Sequence, residues 1–252
     1  MHAHRPLVAG NWKMHKTIGE AVSFVREFEA LAPDFEHVDA LVCPPFTALA
    51  ATRDAIGAMP LGLGAQTMWD LDAGPYTGEI SPEMIVDCGA RWVILGHSER
   101  RATSGETDDD VQRKVEAALR FGLTPIVCVG ESALDHAAGR ADVHVVGQTR
   151  AAFADIAPHD VARCVVAYEP IWAIGSGTPD TPPNANAVMH AIRRSVAGLQ
   201  HARILYGGSV KPENIGAFVG QPDIDGALVG SASLDARSFA ALIVNASAAA
   251  VS

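Results

Sequence analysis

The sequence predicts a single (β/α)8 barrel, and three observations carry that prediction. Short apolar runs alternate with helix-like segments along the whole chain. The length of 252 residues suits one such barrel. Polar and glycine residues cluster directly after the runs, where barrel active sites lie. The clearest runs are Leu7–Ala9, Leu41–Cys43, Leu61–Ala65, Trp92–Leu95, Pro125–Val129, Val165–Tyr168, Ile204–Tyr206 and Ala227–Val229. Continuous apolar strands of this kind fit a parallel sheet buried on both faces. Eight runs fit the barrel better, though their count does not exclude an open, doubly wound sheet; the chemistry at the ends of many strands decides for the closed barrel. No Pro/Ser-rich linker interrupts the alternation, so one domain is expected over residues 1–245. The tail 246–252 (ASAAAVS) has little to bury and is expected to fray.

Composition narrows the partners. Hydrophobic residues make up 48% of the chain, enough for a large interior, and mean hydropathy is +0.14. The formal charge of −10 argues against nucleic acid or an anionic membrane as partner and leaves a small anion bound at a local positive site. Cys43, Cys88, Cys128 and Cys164 form no CxxC pair, so neither zinc nor a redox motif is expected, and buried free thiols are the simpler reading. The N-terminus MHAHRPLVAGNWK lacks a signal-peptide h-region, and no stretch reaches a membrane span, so a cytoplasmic location is expected.

The first run ends in Asn11-Trp12-Lys13. A lysine there places a point charge over a phosphate or a developing oxyanion, although taken alone a solvated loop lysine is the commoner reading. Gln66 follows the third run. The fourth run leads into Gly96-His97-Ser98-Glu99-Arg100-Arg101. A histidine that opens a helix at a strand end meets the positive end of that helix. Its pKa is then expected to fall, leaving a neutral donor able to polarise a carbonyl; the alternative is a plain helix cap. Arg100 and Arg101 read as a structural ion-pair network, and Glu99 fits that network too. The segment Asp109–Leu119 is amphipathic, with Val111, Val115, Ala118 and Leu119 on one face.

Glu131 closes the fifth run. The sixth runs into Tyr168-Glu169-Pro170-Ile171-Trp172-Ala173-Ile174-Gly175-Ser176-Gly177-Thr178. A carboxylate at the end of an apolar strand is costly unless paired or functional. The following segment resembles a lid whose closure over Glu169 would strip water from the carboxylate and raise its basicity; a buried structural glutamate with an ordinary loop is the alternative. The last two runs each end in a small-residue turn, Gly207-Gly208-Ser209 and Gly230-Ser231-Ala232. Either alone is only a turn, but two in the last two units match the place where barrels cradle phosphate on backbone amides.

NWKM, GHSERR, AYEPIWAIGSG, YGGSV and LVGSASL, with TGEISPEM and CVGE, resemble in order the signature blocks of the triosephosphate isomerase family, across nearly the whole chain. The general description of that family already assigns a glutamate base, a neutral histidine and a water-excluding loop. The resemblance therefore implies a TIM barrel with Glu169 as base, His97 as electrophile and Lys13 with Asn11 as oxyanion stabilisers. Gly175, Ser209, Gly230 and Ser231 are implied as phosphate holders. It implies no cofactor, no metal, a small phosphorylated sugar as substrate, a role in glycolysis and gluconeogenesis, and a homodimer in which the loop bearing Thr77 meets the partner subunit.

The chain departs from the family at the lid, which reads Gly177-Thr178-Pro179-Asp180 in place of Gly-Lys-Thr, and proline is expected to stiffen the trailing hinge. Ser231 replaces the second glycine of the last phosphate turn. Serine tolerates positive φ poorly, so the turn is expected to differ. His15 stands where asparagine is common, and the connection from Ser195 to Arg203 is short. The catalytic trio is retained, so glyceraldehyde 3-phosphate and dihydroxyacetone phosphate are the expected pair. A four-carbon ketose phosphate such as erythrulose phosphate is the alternative. A catalytically silent phosphosugar-binding barrel would have lost Lys13, His97 or Glu169, and all three are present.

Overall fold

A computed structural model describes residues 4–175 and 178–251. Eight parallel strands close into a barrel in sequence order. They are β1 (Leu7–Asn11), β2 (Asp39–Cys43), β3 (Leu61–Ala65), β4 (Trp92–Leu95), β5 (Thr124–Val129), β6 (Val165–Tyr168), β7 (Arg203–Tyr206) and β8 (Gly226–Val229). Each apolar run in the sequence is a strand, and β1 pairs with both β2 and β8 to complete the ring.

The helices are α1 (Ile18–Leu31), α2 (Leu49–Ile56), α3 (Pro82–Asp87), α4 (Ser98–Ser104), α5 (Asp108–Arg120), α6 (Ala133–Ala137), α7 (Ala141–Ala152), α8 (Pro158–Val161), α9 (Pro182–Arg193), α10 (Pro212–Val219) and α11 (Ala236–Ala250). Their starts follow local chemistry. Thr17 and Glu20 form a capping box at α1, and Thr107 and Asp110 form another at α5, each satisfying N–H groups that the first turn leaves free. The predicted apolar face of α5 is buried at Val111, Val115 and Ala118, and Leu119 is half-buried. The last helix runs on to Ala250, and Ala246 within it is fully buried.

Two apolar layers result. Leu7, Ala9, Leu41, Ile94, Ile126, Val165, Leu205 and Leu228 fill the barrel interior, while the opposite faces of the strands pack against the helices. On β3 the interior positions are Gly62 and Gly64, where a Cβ would stand 2.9 Å from that of Leu41 and 2.7 Å from Cys43 Sγ. That missing volume is taken by Trp92, paired in register with Gly64. The Arg203 guanidinium lies 5.3 Å from the Trp92 ring and 2.7 Å from Asp39. Three of the four cysteines are buried free thiols; Cys88 is only half-buried, which corrects the expectation for that one. Among the described residues no helix is long and apolar enough to cross a membrane.

Candidate active site

A cavity of about 780 Å³ opens at the C-terminal ends of the strands. Asn11, Lys13, His97, Glu169, Gly175, Ser209, Gly230 and Ser231, the eight residues expected to bind or react, all line it. Thr77 lies apart, on an exposed loop. Ser176 and Gly177, the expected tip of the lid, lie outside the described residues.

The lysine is placed by its backbone. Lys13 has φ of +52°, a left-handed conformation that costs a non-glycine residue about 1–2 kcal/mol. Two contacts hold it there. Its N–H donates to Asn11 Oδ1 at 3.0 Å, and the Gln66 side-chain amide donates to the Lys13 carbonyl at 2.8 Å and to that of Cys43 at 2.9 Å. The Lys13 ammonium then reaches Glu99 Oε1 at 2.6 Å. On its other side, Cε of Lys13 lies 3.5 Å from where a Cβ on Gly230 would stand, so the cation sits between Glu99 and the last small-residue turn.

His97 and Glu169 form the centre. His97 caps α4: its Nδ1 accepts the Glu99 N–H at 3.2 Å, and its Nε2 lies 3.0 Å from Glu169 Oε1. The neutral tautomer with hydrogen on Nε2 satisfies both contacts. The other Glu169 oxygen accepts the Ser98 N–H at 3.0 Å. Both residues are buried. Burial pushes the Glu169 pKa up, but the His97 charge and hydrogen bond, with the Ser98 amide, outweigh it and hold the carboxyl below the usual range. For His97, burial disfavours the imidazolium, yet the Glu169 charge and hydrogen bond prevail and its pKa is raised. This corrects the lowering expected from the helix end alone. The helix contact exists, but a carboxylate in hydrogen-bond contact is the stronger influence on the ring.

The backbone and Cγ of Glu169 are closely packed against the neighbouring strand ends. A Cβ on Gly130 would stand 1.8 Å from the Glu169 carbonyl oxygen, and one on Gly207 would stand 2.9 Å from its Cγ. Absence of side chains on both neighbouring strand ends lets β5 and β7 close against the base.

The opposite side of the cavity suits an anion. Gly230 and Ser231 open a 3-10 turn, Ser231–Ser233, and amides at the start of such a turn favour negative charge. Ser231 is not among the described residues with positive φ, so serine brings none of the strain expected of it. Ser209 donates its hydroxyl to the Ala173 carbonyl at 2.6 Å, joining the β7 turn to the lid's leading end. Lys211 and Glu213 also line the cavity. Among the described residues, no group of three or more His, Cys, Asp or Glu is placed to hold a metal.

Both ends of the lid are tethered. At the leading end, Trp172 Nε1 donates to Glu131 Oε1 at 2.7 Å, and the Tyr168 hydroxyl donates to the same oxygen at 3.1 Å. At the trailing end, the Asp180 N–H donates to the Tyr206 hydroxyl at 2.9 Å, while the Asp180 carboxylate accepts from Thr181 N and Asn184 Nδ2. Arg101 serves structure, as its sequence context predicts: it binds Asp108 at 2.6 Å and the Gly96 carbonyl at 2.8 Å. Sequence reasoning assigned no role to Gln66 or Glu131 and grouped Glu99 with the structural charges. Their position directly after apolar runs, or beside His97, was the only signal.

Comparison with known proteins agrees with this geometry. A family model described as triosephosphate isomerase matches residues 6–246. The chain is 53% identical to a triosephosphate isomerase of Chloroflexus aurantiacus, over 94% of this chain and 98% of the relative. It is 50% identical to one from Symbiobacterium thermophilum, over 94% and 95%. Among solved structures, the triosephosphate isomerase of Bartonella henselae superposes with a TM-score of 0.84 at 36% identity, covering 95% of this chain and 98% of that one.

Proposed function

Because this chain belongs to the triosephosphate isomerase family, we propose that Glu169, His97 and Lys13 carry its reaction, with the phosphate held at Gly175, Ser209, Gly230 and Ser231. The chain is an intramolecular oxidoreductase that interconverts glyceraldehyde 3-phosphate and dihydroxyacetone phosphate. The observation that carries the assignment of roles is the 3.0 Å contact between Glu169 and His97, with Lys13 in the same cavity as the two small-residue turns.

Glu169 accepts the Ser98 N–H and lies 3.0 Å from His97 Nε2. Substrate entry gives the carboxylate a carbon-bound proton to remove. One electron pair moves from that C–H bond to form the enediolate, and the carbonyl oxygen takes the negative charge. His97 Nε2–H and the Lys13 ammonium are the donors placed to stabilise that oxygen. His97 gives its Nε2 proton to that oxygen and takes the proton of the neighbouring hydroxyl, so the charge passes to the second oxygen. Return of the abstracted proton from Glu169 to the former carbonyl carbon then forms the new carbonyl, and the carboxylate is restored. Once Glu169 turns to the substrate, the influence that raised the His97 pKa weakens. Burial and the Glu99 amide remain, and both favour the neutral ring this step needs.

The same reading includes a homodimer formed through the Thr77 loop, a cytoplasmic location and no requirement for a cofactor. Replacement of Glu169 by Asp retracts the carboxylate by about 1 Å and is expected to cut kcat by about 100-fold or more while leaving the far-UV spectrum unchanged. Near-normal turnover would remove Glu169 from the mechanism.

A further inference from the structure

Ser233 ends the 3-10 turn that follows β8, and it is fully buried. Its hydroxyl lies 2.7 Å from the Gly230 carbonyl and 3.1 Å from that of Val229, and its N–H donates to the Gly230 carbonyl at 2.9 Å. A serine that bonds back to carbonyls three and four residues earlier is ordinary in helical turns. What marks this one is which carbonyls it meets. A trans peptide is planar, so its C=O and N–H point in opposite directions. The Val229 carbonyl shares a peptide with the Gly230 N–H, and the Gly230 carbonyl shares one with the Ser231 N–H. The Ser233 side chain therefore stands behind both peptides, and the two N–H groups point away from it. Gly230 and Ser231 both line the cavity. The barrel keeps the hydroxyl in that place. Gly10 on β1 is paired with Val229, and a Cβ on it would stand 3.0 Å from Ser233 Cβ and 3.2 Å from its Oγ. The bare strand lets Ser233 seat between β1 and the turn.

We propose that Ser233 is a positioning residue for the isomerisation, aiming and polarising the two backbone N–H groups that take the substrate phosphate. The proposal rests on the reading of Gly230 and Ser231 as phosphate holders. Two effects follow from the geometry. A carbonyl held by a hydrogen bond fixes the direction of the N–H on the same peptide, so phosphate meets amides already aligned and less freedom is lost on binding. A carbonyl that accepts a hydrogen bond also makes its peptide N–H a stronger donor, since bonds in a chain polarise one another. The Gly230 carbonyl, with two donors from one residue, takes the larger share. One hydroxyl carries one proton, so the Val229 carbonyl takes the weaker part of a three-centre contact. The far end of the turn is held separately, by Lys16 Nζ on the Leu234 carbonyl at 2.8 Å. Loss of the Ser233 hydroxyl therefore frees the two peptides without releasing the turn as a whole.

The test titrates inorganic phosphate into the wild type and Ser233→Ala, followed by the NMR amide resonances of Gly230 and Ser231. In the wild type both resonances should move as phosphate is added. In the variant the dissociation constant is expected to rise about fivefold, the effect of one neutral hydrogen bond. KM for glyceraldehyde 3-phosphate should rise by the same factor with kcat changed by less than about twofold, because binding lost equally from ground and transition states shows in KM alone. A lower urea midpoint with an unchanged dissociation constant would make Ser233 a merely structural residue and overturn the proposal. If the alanine variant does not fold, Ser233→Cys is titrated in the same way. A thiol is the weaker donor, so a rise of about twofold is expected there, and an unchanged constant again overturns the proposal. Wild-type amides that do not respond to phosphate sink the reading of Gly230 and Ser231 as phosphate holders, and this proposal with it. Amides that respond alike in wild type and variant sink this proposal alone.

Discussion

Nε2 of His97 lies 3.0 Å from Oε1 of Glu169, which couples the titration of the two residues expected to share the chemistry. The coupling raises the His97 pKa and lowers that of Glu169. Signs follow from linkage. The His97 contribution to stability is fully present below the unfolded value, about 6.5, and is lost as pH rises through the raised folded value. The Glu169 contribution is present above about 4.3 and is lost as pH falls through the depressed one. Together they favour the fold most between about 4.3 and about 6.5.

Replacing Glu169 by Gln removes the main charge that raises the His97 pKa and leaves burial, the largest influence, and the Lys13 charge, which lower it, against the smaller Glu99 charge, which raises it. The His97 ring should then titrate below about 6.5, where it stood above that value before. An NMR titration of the imidazole carbon-bound protons reads this directly. An unchanged pKa would mean that the helix end or the wider field, not Glu169, governs the ring.

The second prediction concerns the space around the base. Gly130→Ala would drive a methyl to 1.8 Å from the Glu169 carbonyl oxygen, so β5 or the base must move. Turnover is expected to fall by about 100-fold, because a displacement of about 1 Å is enough at a reacting centre. Gly147→Ala, inside α7, meets nothing within 4 Å and has no positive φ. It should stabilise the chain by about 0.5–1 kcal/mol with kcat unchanged. Urea titration and steady-state kinetics on both variants check the pair; equal effects would show that strand–base proximity is not what these glycines serve.

The third prediction concerns assembly. Trp69 and Tyr76 pack with ring centroids 5.4 Å apart, and Tyr76 and Leu71 remain exposed on the loop that carries Thr77. Apolar side chains presented by an ordered loop fit a subunit contact. Sedimentation is expected to give a dimer at micromolar protein, and Thr77→Arg to shift it toward monomer with reduced activity. A fully active wild-type monomer would count against the contact.

How far these features could be read without coordinates depends on distance along the chain. The strands were legible because a buried parallel strand writes itself as a continuous apolar run, and Trp92–Leu95 and Val165–Tyr168 fit to the residue. Polar residues just past those runs gave the cavity, since a barrel brings all strand ends to one rim. What the one-dimensional pattern hides is which of them touch. Gln66 supports Lys13 from 53 residues away, and Trp172 reaches Glu131 across 41. The direction of the His97 pKa was misread for the same reason: the helix end is adjacent in sequence, whereas Glu169 arrives on another strand. Ser231 illustrates a different limit, because its cost depended on a backbone angle that residue type alone does not fix.

The last prediction concerns substrate length. Chemistry occurs at two adjacent carbons, so the catalytic residues cannot tell three carbons from four. Discrimination must come from the span between Glu169, His97 and Lys13 on one side and the phosphate turns on the other. On the Lys13 side the approach is close: Lys13 Cε stands 3.5 Å from the place of a Cβ on Gly230. The lid's trailing end is also held, through Asp180 N–H on the Tyr206 hydroxyl at 2.9 Å, which limits how far the phosphate wall can retreat. A four-carbon substrate would have to lift its phosphate from the turns or push its reacting carbon away from the base. The preference in kcat/KM for glyceraldehyde 3-phosphate over an erythrulose phosphate should therefore be at least about tenfold, or about 1.4 kcal/mol in transition-state binding. Ser231 has no positive φ to relieve. Ser231→Gly should thus change kcat/KM by less than about threefold, since a surface turn without strain gains nothing from glycine. Steady-state measurements of both substrates on one preparation, wild type beside Ser231→Gly, check the two expectations together. A large gain in the variant would place the departure at Ser231 among the determinants of substrate choice, and a preference for erythrulose phosphate would show that the pocket is longer than the Lys13–Gly230 approach allows.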